Sequence, residues 1–315
     1  MSAAVVTVHR DSPFLLSNAQ AYAAWRQEKL HNYPRCAAEL LVAIANPLDL
    51  SAQEYRDIMQ RLRKTNLALY TVTSQQATDK NRLRQLGRQF GLEQLDSNIC
   101  ADEDSISSLR VMQSGRHQGY IPYTDRALSW HTDGYYNPPD KQIRALLMHC
   151  DTPAVEGGAN MYLDHEILYL TLRDANPDYI SALSRPDVMT IPANVEEGDE
   201  IRAAQTGPVF SIDNRGNLHM RYSARTRNIQ WRDDALTVDA VAQIQSLLNG
   251  DLPYIIRYRL AANQGIICNN VLHNRTAFVD GTTQLTKRLL YRARYFDRVR
   301  NTDLPSEQKG WSCSG

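Results

Sequence analysis

Residues 105–113, SISSLRVMQ, begin a series of short strand-like runs that decides the fold of this chain. Such runs are rich in aliphatic, β-branched and aromatic residues and are bounded by turn residues. The other eight are 126–134 (RALSWHTDG), 143–150 (IRALLMHC), 159–165 (ANMYLDH), 207–213 (GPVFSID), 217–223 (NLHMRYS), 254–260 (YIIRYRL), 265–273 (GIICNNVLH) and 287–297 (KRLLYRARYFD). Nine runs in fewer than two hundred residues predict a β-sandwich or barrel.

The chain before this series has a mixed helical and extended pattern. Ser51 stands where an N-cap would precede a helix, and two charged segments repeat their apolar residues at helical spacing. We expect these helices to pack outside a sheet. The segments are an apolar run at 38–44, helical patterns at 52–64 and 79–95, and a strand-like run at 68–74.

Two further helical patterns, residues 165–174 and 237–249, interrupt the strand-like runs. Residues 185–206 are rich in Pro, Asn, Gly and acidic side chains, which predicts a long irregular insertion. Neither a linker nor an internal repeat is evident. We therefore expect one domain over residues 1–315, with a helix and strand layer at 1–104 and a core at 105–300 that carries an insertion around 185–235.

Composition argues for a globular protein that binds a small molecule. The 315 residues are 43% hydrophobic, and 35 Lys and Arg balance 35 Asp and Glu. A net charge of zero offers no global field to attract nucleic acid or an anionic membrane. No apolar run of about 18 residues and no leader pattern is evident, so a cytoplasmic protein is expected, with a homo-oligomer as the default. The five cysteines are scattered without a C-x-x-C pair and are interpreted as incidental thiols.

The segment WHTDG at residues 130–134 carries the strongest chemical signal. Side chains alternate along an extended segment, so His131 and Asp133 project to the same side and can share one metal ion. His273 ends an apolar run and precedes a polar turn region, which makes it the natural third ligand. Two His and one carboxylate leave three adjacent coordination positions open, an arrangement that suits iron(II) oxygenases.

Three arginines near the end of the chain support this interpretation. Arg288, Arg292 and Arg294 are separated by even numbers and share one face of a strand. If that face is buried, the arginines need an anion, and a dicarboxylate such as 2-oxoglutarate supplies one. The alternative is a solvated edge strand with surface arginines.

These pieces together resemble the taurine dioxygenase-like (TauD/TfdA) family of iron(II)- and 2-oxoglutarate-dependent oxygenases. The resemblance covers residues 120–297 and includes WHTDG, LLMHC, VEGGANMYLD, LHNRTAF and KRLLYRARYFD. It implies an α+β, mainly β fold with a double-stranded β-helix (jelly-roll) core flanked by helices. It also implies iron(II), 2-oxoglutarate and O₂ as cofactor and co-substrates, with His131, Asp133 and His273 as the metal ligands and catalytic residues.

The family's pattern also suggests how the co-substrate is bound. It places the far carboxylate of 2-oxoglutarate on Arg288, with Arg292 near the keto-acid end or the substrate. Asn160 stands where relatives often carry a Thr that hydrogen-bonds 2-oxoglutarate, and Asn can still donate and accept. The presence of Asp133 favours hydroxylation, or a desaturation by the same chemistry, over halogenation.

The substrate is left open, because the pieces also look similar to γ-butyrobetaine and glutarate hydroxylases. We expect a small polar molecule such as an amino acid or carboxylate. Tyr135 and Tyr136 follow the metal motif and are candidates for the pocket wall, with simple packing as the alternative. Arg225 is the best candidate in a basic segment that also contains Arg221 and Arg227, which could equally be a solvated face.

Two other classes of protein compete with an oxygenase. A metal-binding β-barrel without activity would close its coordination shell, and it leaves the arginine strand unexplained. A zinc hydrolase would need a general base beside the metal, and neither WHTDG nor LHNR offers one. His149, in LLMHC, is interpreted as a core or supporting histidine, because His273 has the better context.

Overall fold

The computed structural model describes residues 12–74, 78–97, 102, 104–112, 120–196, 199–225, 229–283 and 285–304. The helices are α1 (Ala19–Leu30), α2 (Ala37–Leu40), α3 (Ala52–Thr65), α4 (Lys80–Gln89), α5 (His165–Ala175), α6 (Pro177–Leu183) and α7 (Ala235–Asn249), with 3-10 turns at Ile121–Tyr123 and Pro139–Lys141. The strands of the first half are β1 (Leu41–Ile44), β2 (Leu67–Val72), β3 (Ile106–Leu109), β4 (Leu128–His131), β5 (Ala145–Thr152), β6 (Glu156–Gly157) and β7 (Asn160–Leu163). The later strands are β8 (Met189–Ile191), β9 (Asn194–Glu196), β10 (Asp199–Arg202), β11 (Gln205–Gly207), β12 (Phe210–Ile212), β13 (Leu218–Met220), β14 (Gln230–Trp231), β15 (Ile256–Tyr258), β16 (Gln264–Cys268), β17 (Leu272–Arg275), β18 (Phe278–Val279) and β19 (Leu289–Tyr295).

Two sheets form the centre of the molecule. The major sheet has six strands in the order β1-β2-β16-β5-β19-β3, and the minor sheet has four in the order β15-β7-β17-β4. All neighbours in both sheets are antiparallel except β1 and β2, which are parallel. The expected α+β fold class is confirmed as a mixture of helices and strands, and the sheets are mainly antiparallel.

The apolar side chains divide into three buried clusters that place the sheets between helices. One cluster fills the space between the two sheets and joins Met148 and Leu290 of the major sheet to Tyr162 of the minor sheet. A second packs α3 and α4 on the outer face of the major sheet. The third packs α5, α6 and α7 on the outer face of the minor sheet, where Trp130 lies. The space between the sheets is therefore closed on both sides by helix-covered walls.

The predicted helices form because their ends carry suitable caps. Helix α3 begins after Ser51, whose hydroxyl accepts from the Glu54 N–H at 3.2 Å, while the Glu54 carboxylate accepts from the Ser51 N–H at 2.7 Å. This reciprocal pair satisfies two amide groups that a helix leaves without intrahelical partners. Helix α4 is shorter than its pattern, since the chain takes a left-handed turn at Gly91 with φ +74°.

Two expectations about the second half of the chain are corrected. The run 265–273 is not one strand but two, β16 in the major sheet and β17 in the minor sheet. The chain crosses between sheets at Asn270, which adopts φ +48°, a conformation that Asn tolerates better than most residues. The region 185–206 is not irregular, because it contains β8 to β11. Their backbone pairing compensates for a composition that resembles a loop.

Among the residues that the structure describes, no helix has the length and apolar character needed to cross a membrane. The described cysteines, Cys36, Cys150 and Cys268, are all unpaired, in line with the interpretation as incidental thiols. Cys100 and Cys313 lie outside the described residues.

Replacing Ser51 by Ala is expected to destabilise the protein by about 1 kcal/mol, because the Glu54 N–H loses its capping acceptor. The free energy of unfolding, measured by urea denaturation, checks this. Ser246→Ala, an exposed position within α7, is the matched control and should stay within about 0.5 kcal/mol of the parent. Equal effects of the two changes would contradict the capping role.

Candidate metal centre and co-substrate pocket

His131, Asp133 and His273 lie together between the two sheets. Strand β4 ends at His131, and antiparallel β17 places His273 directly opposite it, with ring centroids 4.3 Å apart. Asp133 follows β4 by two residues and faces both rings. One ligand atom from each side chain lies within 4.8 Å of the other two, and all three residues are buried. No other group of this kind occurs among the described residues.

The hydrogen bonds of the two imidazoles show what the cluster can hold. Nδ1 of His131 lies 2.9 Å from the Ser129 carbonyl, and Nδ1 of His273 lies 3.0 Å from the Val271 carbonyl. A carbonyl only accepts, so each Nδ1 carries the proton and each neutral ring has its lone pair on Nε2. Burial, with His131 nearby, lowers the pKa of His273 to about 4, which keeps that ring neutral at pH 7.

The lone pairs of both rings point at the Asp133 carboxylate. Asp133 Oδ1 lies 3.3 Å from His131 Nε2 and 3.9 Å from His273 Nε2. Three acceptors without a hydrogen between them repel one another in a buried site. A divalent cation removes that conflict, and two imidazoles with one carboxylate are a donor set that suits iron(II). The residues therefore fit a metal ion.

Arg292 holds the other oxygen of this carboxylate. Its Nη1 lies 3.2 Å from Asp133 Oδ2, and both side chains are buried. Burial alone would raise the pKa of the Asp133 carboxyl, but the positive charges of Arg292 and Arg294 outweigh it and hold that pKa well below its usual range. Asp133 is thus a carboxylate at neutral pH, with Oδ1 turned to the rings.

Asn270 fixes the loop that carries Asp133, a role that was not predicted from the sequence. Its side chain accepts from the Asp133 N–H at 2.8 Å and donates to the carbonyls of Asp133 at 2.9 Å and Ile143 at 2.7 Å. Asn270 comes three residues before His273, so one side chain ties both halves of the cluster together. An Asn between two apolar runs was the available signal.

The predicted arginines face inward on β19 and at Arg288, the residue before it. Arg288, Arg292 and Arg294 are only 4%, 7% and 4% exposed, and β19 lies between β5 and β3 rather than at an edge. The solvated edge strand is therefore wrong. Arg288 and Arg292 follow His273 by 15 and 19 residues in sequence but share the space between the sheets with it.

Arg288 is a buried cation without a carboxylate partner among the described residues. Its guanidinium lies over the Phe278 ring, 4.8 Å from the centroid, and Nη1 has no hydrogen-bond partner. Arg275 contacts the same ring at 4.9 Å, but its guanidinium is taken up by the Thr124 and Arg126 carbonyls, at 2.7 and 2.6 Å. Arg288 is thus available to bind an anion.

Asn160 and the glycine pair border the cavity at Arg288. Asn160, Gly157, Gly158 and Arg288 line one small cavity between the sheets. Asn160 uses one amide hydrogen to bind the Asn274 carbonyl at 2.7 Å, so its second remains. Gly157 has φ +71°, and a Cβ there would lie 2.3 Å from the Ala277 carbonyl oxygen, so only glycine fits.

The tyrosines predicted for the pocket wall differ in their contacts. The Tyr136 hydroxyl lies 2.8 Å from Arg294 Nη1, and Arg294 also pairs with Asp96. Tyr135 packs edge-on against Tyr136 at 5.2 Å between centroids and is half-buried against the helical core of the minor sheet. Tyr136 is therefore joined to the arginine face, whereas Tyr135 contributes mainly packing.

The segment 222–224 runs beside β4 at the open edge of the minor sheet. Ser223 forms a bridge opposite His131, and the Thr132 N–H binds the Tyr222 carbonyl at 3.0 Å. Arg225 follows two residues later and is exposed, with its N–H directed at the Ser223 hydroxyl at 3.3 Å. Arg227 lies outside the described residues.

Two other features lie away from the cluster. His149 projects from the outer face of the major sheet, where it stacks on Tyr70 and its Nδ1 lies 3.1 Å from the Tyr70 hydroxyl. It is a core histidine, as expected. A cavity of about 840 Å³ lies between the end of α7 and strands β4 and β17, but it contains none of the three clustered side chains.

Comparisons with known proteins place this architecture. The sequence model of the family described as "Taurine catabolism dioxygenase TauD, TfdA family" matches residues 27–294. A curated relative, uridine-5'-phosphate dioxygenase from an Amycolatopsis species, is 27% identical over 199 residues, which are 62% of this chain and 69% of that protein.

Solved structures share the fold at low sequence identity. Asparagine oxygenase in complex with Fe(II), 3-hydroxyasparagine and succinate has a TM-score of 0.56 at 13% identity, covering 92% of this chain and 87% of that one. The non-haem iron oxygenase OrfP in complex with (3S)-hydroxy-L-arginine has a TM-score of 0.57 at 14% identity, covering 78% and 80%.

The family match spans 268 of the 315 residues, counted from 27 to 294. The chain therefore belongs to the TauD/TfdA family and is an iron(II)- and 2-oxoglutarate-dependent dioxygenase.

Proposed function

We propose that His131, Asp133 and His273 bind the iron and that Arg288 binds the far carboxylate of 2-oxoglutarate. The observation that carries the proposal is the convergence of two unprotonated Nε2 atoms on Asp133 Oδ1 in a buried space. Three protein ligands leave three adjacent coordination positions for the co-substrate and O₂. The buried and unpartnered Arg288 supplies the positive charge that a carboxylate of 2-oxoglutarate requires.

The neighbouring residues orient these groups. Arg292 holds Asp133 Oδ2, which favours metal binding through Oδ1 alone. The second amide hydrogen of Asn160 can donate to 2-oxoglutarate in the cavity that it shares with Arg288. In this arrangement the main role of Arg292 is to orient Asp133, the proposed metal ligand. Its expected contact with the keto-acid end of 2-oxoglutarate is then a lesser role.

The bound iron and 2-oxoglutarate supply the chemistry that removes hydrogen from an unactivated carbon of the substrate. The protein's own part is to position that carbon and exclude water. The two sheets and their helical layers enclose the centre, with Ser223 opposite His131 and Tyr136 bound to Arg294. We propose that Tyr136 and the exposed Arg225, two residues after Ser223, face the substrate. Hydroxylation is the expected outcome, with release of succinate and CO₂, and desaturation is the alternative outcome of the same chemistry.

We infer that the substrate is a small polar molecule with an acidic group. Two relatives with 27% and 26% identity are named uridine-5'-phosphate dioxygenases, so a nucleoside 5'-phosphate is the first candidate. Amino acids are the second, since the fold neighbours were solved with hydroxylated asparagine and arginine. The balanced charge of the chain argues against nucleic acid or a membrane surface as the partner.

We propose that the two facing sheets are the jelly-roll core of the family and that residues 1–315 make one domain. The cluster between the sheets and the helices on both outer faces support a single core built from both halves of the chain. The rival of a metal-binding barrel without activity fits less well. It predicts a fourth protein ligand, and the described residues bring only three together.

Adding iron(II) and 2-oxoglutarate without oxygen should give the weak visible charge-transfer band of the chelate. Asp133→Ala is expected to abolish the band and succinate release, because it removes a ligand. Arg288→Gln should keep the band but raise the 2-oxoglutarate concentration for half-saturation about tenfold or more. Arg257→Gln, an exposed position on β15, is the control. An intact protein that binds iron but shows no band would refute the assignment.

Asn270→Gly should weaken metal binding without removing a ligand. Glycine keeps the left-handed backbone but loses all three hydrogen bonds, so we expect about 1–3 kcal/mol lower stability and roughly 10–100-fold lower affinity for Co(II). A visible titration with Co(II) and urea denaturation measure the two effects. The control is Asn263→Gly, at φ +61°, whose side chain has no hydrogen bond to a described residue. Unchanged Co(II) affinity in Asn270→Gly would show that the loop does not need this support.

A further inference from the structure

The arginines around the metal centre divide into those with a carboxylate partner and those without one. Arg292 pairs with Asp133, Arg294 with Asp96, and Arg144 with Asp213. Arg288 is taken by the proposed co-substrate. Within the described part of the chain, Arg202 and Arg221 have no ion pair. Arg221 is two residues before Ser223, which pairs with His131, and Arg202 lies against the Tyr136 ring. Both bind backbone carbonyls, and an anion would in addition neutralise their charges.

Arg221 is the deeper of the two. It is 7% exposed, and its Nη2 donates to the carbonyls of Met189 at 2.9 Å and Gln205 at 3.0 Å. Its buried Nε has no hydrogen-bond partner. Burial, together with the positive charge of Arg202, lowers the pKa of Arg221 to about 10. The guanidinium is therefore charged at pH 7 but destabilised, and a bound anion would stabilise its charge.

Arg202 is half-buried and lies at the end of β10. Its guanidinium donates to the Pro192 carbonyl at 2.7 Å and the Ala203 carbonyl at 3.0 Å, and its Cζ lies 5.7 Å from the centre of the Tyr136 ring. Tyr136 is the residue whose hydroxyl binds Arg294, beside the Asp133 carboxylate. The Tyr136 side chain therefore contacts both Arg202 and Arg294.

The register of the chain places Arg221 on the same side as the metal ligands. Ser223 is directly opposite His131, and opposed residues of an antiparallel pair point to the same face. Arg221 is two residues before Ser223, so along an extended segment it shares that face. Arg221, with Arg202 nearby, therefore lies beyond β4, at the end of the minor sheet away from the cavity at Arg288.

We propose that Arg221 and Arg202 form the binding site for a phosphate group of the substrate, next to the metal centre. The inference rests on the proposed function and names the substrate class as phosphate monoesters. A phosphate monoester carries nearly two negative charges at pH 7 and three acceptor oxygens, which match two guanidinium groups. A single carboxylate would neutralise only one of them.

A purely structural role is the competing explanation, because both guanidinium groups also bind backbone carbonyls around β8 to β11. The two explanations differ in what a substitution changes. Loss of a structural clamp lowers stability and leaves affinity for phosphate unchanged, whereas loss of a binding site lowers affinity for phosphate compounds but not for 2-oxoglutarate.

The test measures binding to the enzyme loaded with iron(II) and 2-oxoglutarate under anaerobic conditions, by calorimetry. The probes are uridine 5'-phosphate, uridine and inorganic phosphate. We expect uridine 5'-phosphate to bind at least tenfold more tightly than uridine, and inorganic phosphate to compete with it. Arg202→Gln and Arg221→Gln should each weaken uridine 5'-phosphate at least tenfold. Arg221→Lys, which keeps the charge, guards against misfolding and should weaken it less. Arg215→Gln, 69% exposed, is the matched control.

The outcomes separate the two proposals. The phosphate site is overturned if all the arginine variants bind both phosphate probes as tightly as the parent enzyme does. It is also overturned if the parent enzyme binds neither probe. Loss of phosphate binding with an unchanged 2-oxoglutarate band supports it. If the parent enzyme shows no band but still binds phosphate through Arg221 and Arg202, the site stands and the assignment of the centre fails.

Discussion

The antiparallel pairing of β4 with β17 is the contact on which the rest of the structure depends. It sets His131 against His273 and leaves both Nε2 lone pairs facing a carboxylate that arrives two residues later. A slip of one residue in this pairing would turn one imidazole to the helical side of the sheet. The backbone carbonyls that orient each Nδ1 belong to the same two segments, so register and tautomer are fixed together.

Much of the surrounding structure serves to hold this pairing. Asn270 binds the loop of Asp133 from the beginning of the β17 segment, and α5 to α7 cover the outer face of the minor sheet. The opposing sheet brings a row of arginines to within reach of the centre. So many buried guanidinium groups are tolerated only because each contacts a carboxylate, backbone carbonyls or, in the proposed complex, a ligand.

The carboxylate partners of the arginines are unevenly distributed across the site. Arg292 and Arg294 are neutralised by Asp133 and Asp96, close to the metal cluster. The cations without acids lie on either side, Arg288 toward the glycine pair and Arg221 with Arg202 toward the open edge. Under the proposed assignments, one end suits a dicarboxylate co-substrate and the other suits an anionic substrate, with the proposed metal ligands between them.

The sequence by itself determined the local features of this protein. Alternation along a strand was enough to place Arg288, Arg292 and Arg294 on one face, and Ser51 with Glu54 was enough to begin α3. Only the tertiary structure decided which sheet each strand joined, why 265–273 divides at Asn270, and that strands form in 185–206. Those outcomes depend on hydrogen bonds between segments far apart in the chain, and so do the carbonyl partners of Arg202 and Arg221. The residue pattern of one segment predicts the local conformation of that segment. It does not predict which distant groups the segment will contact in the folded protein.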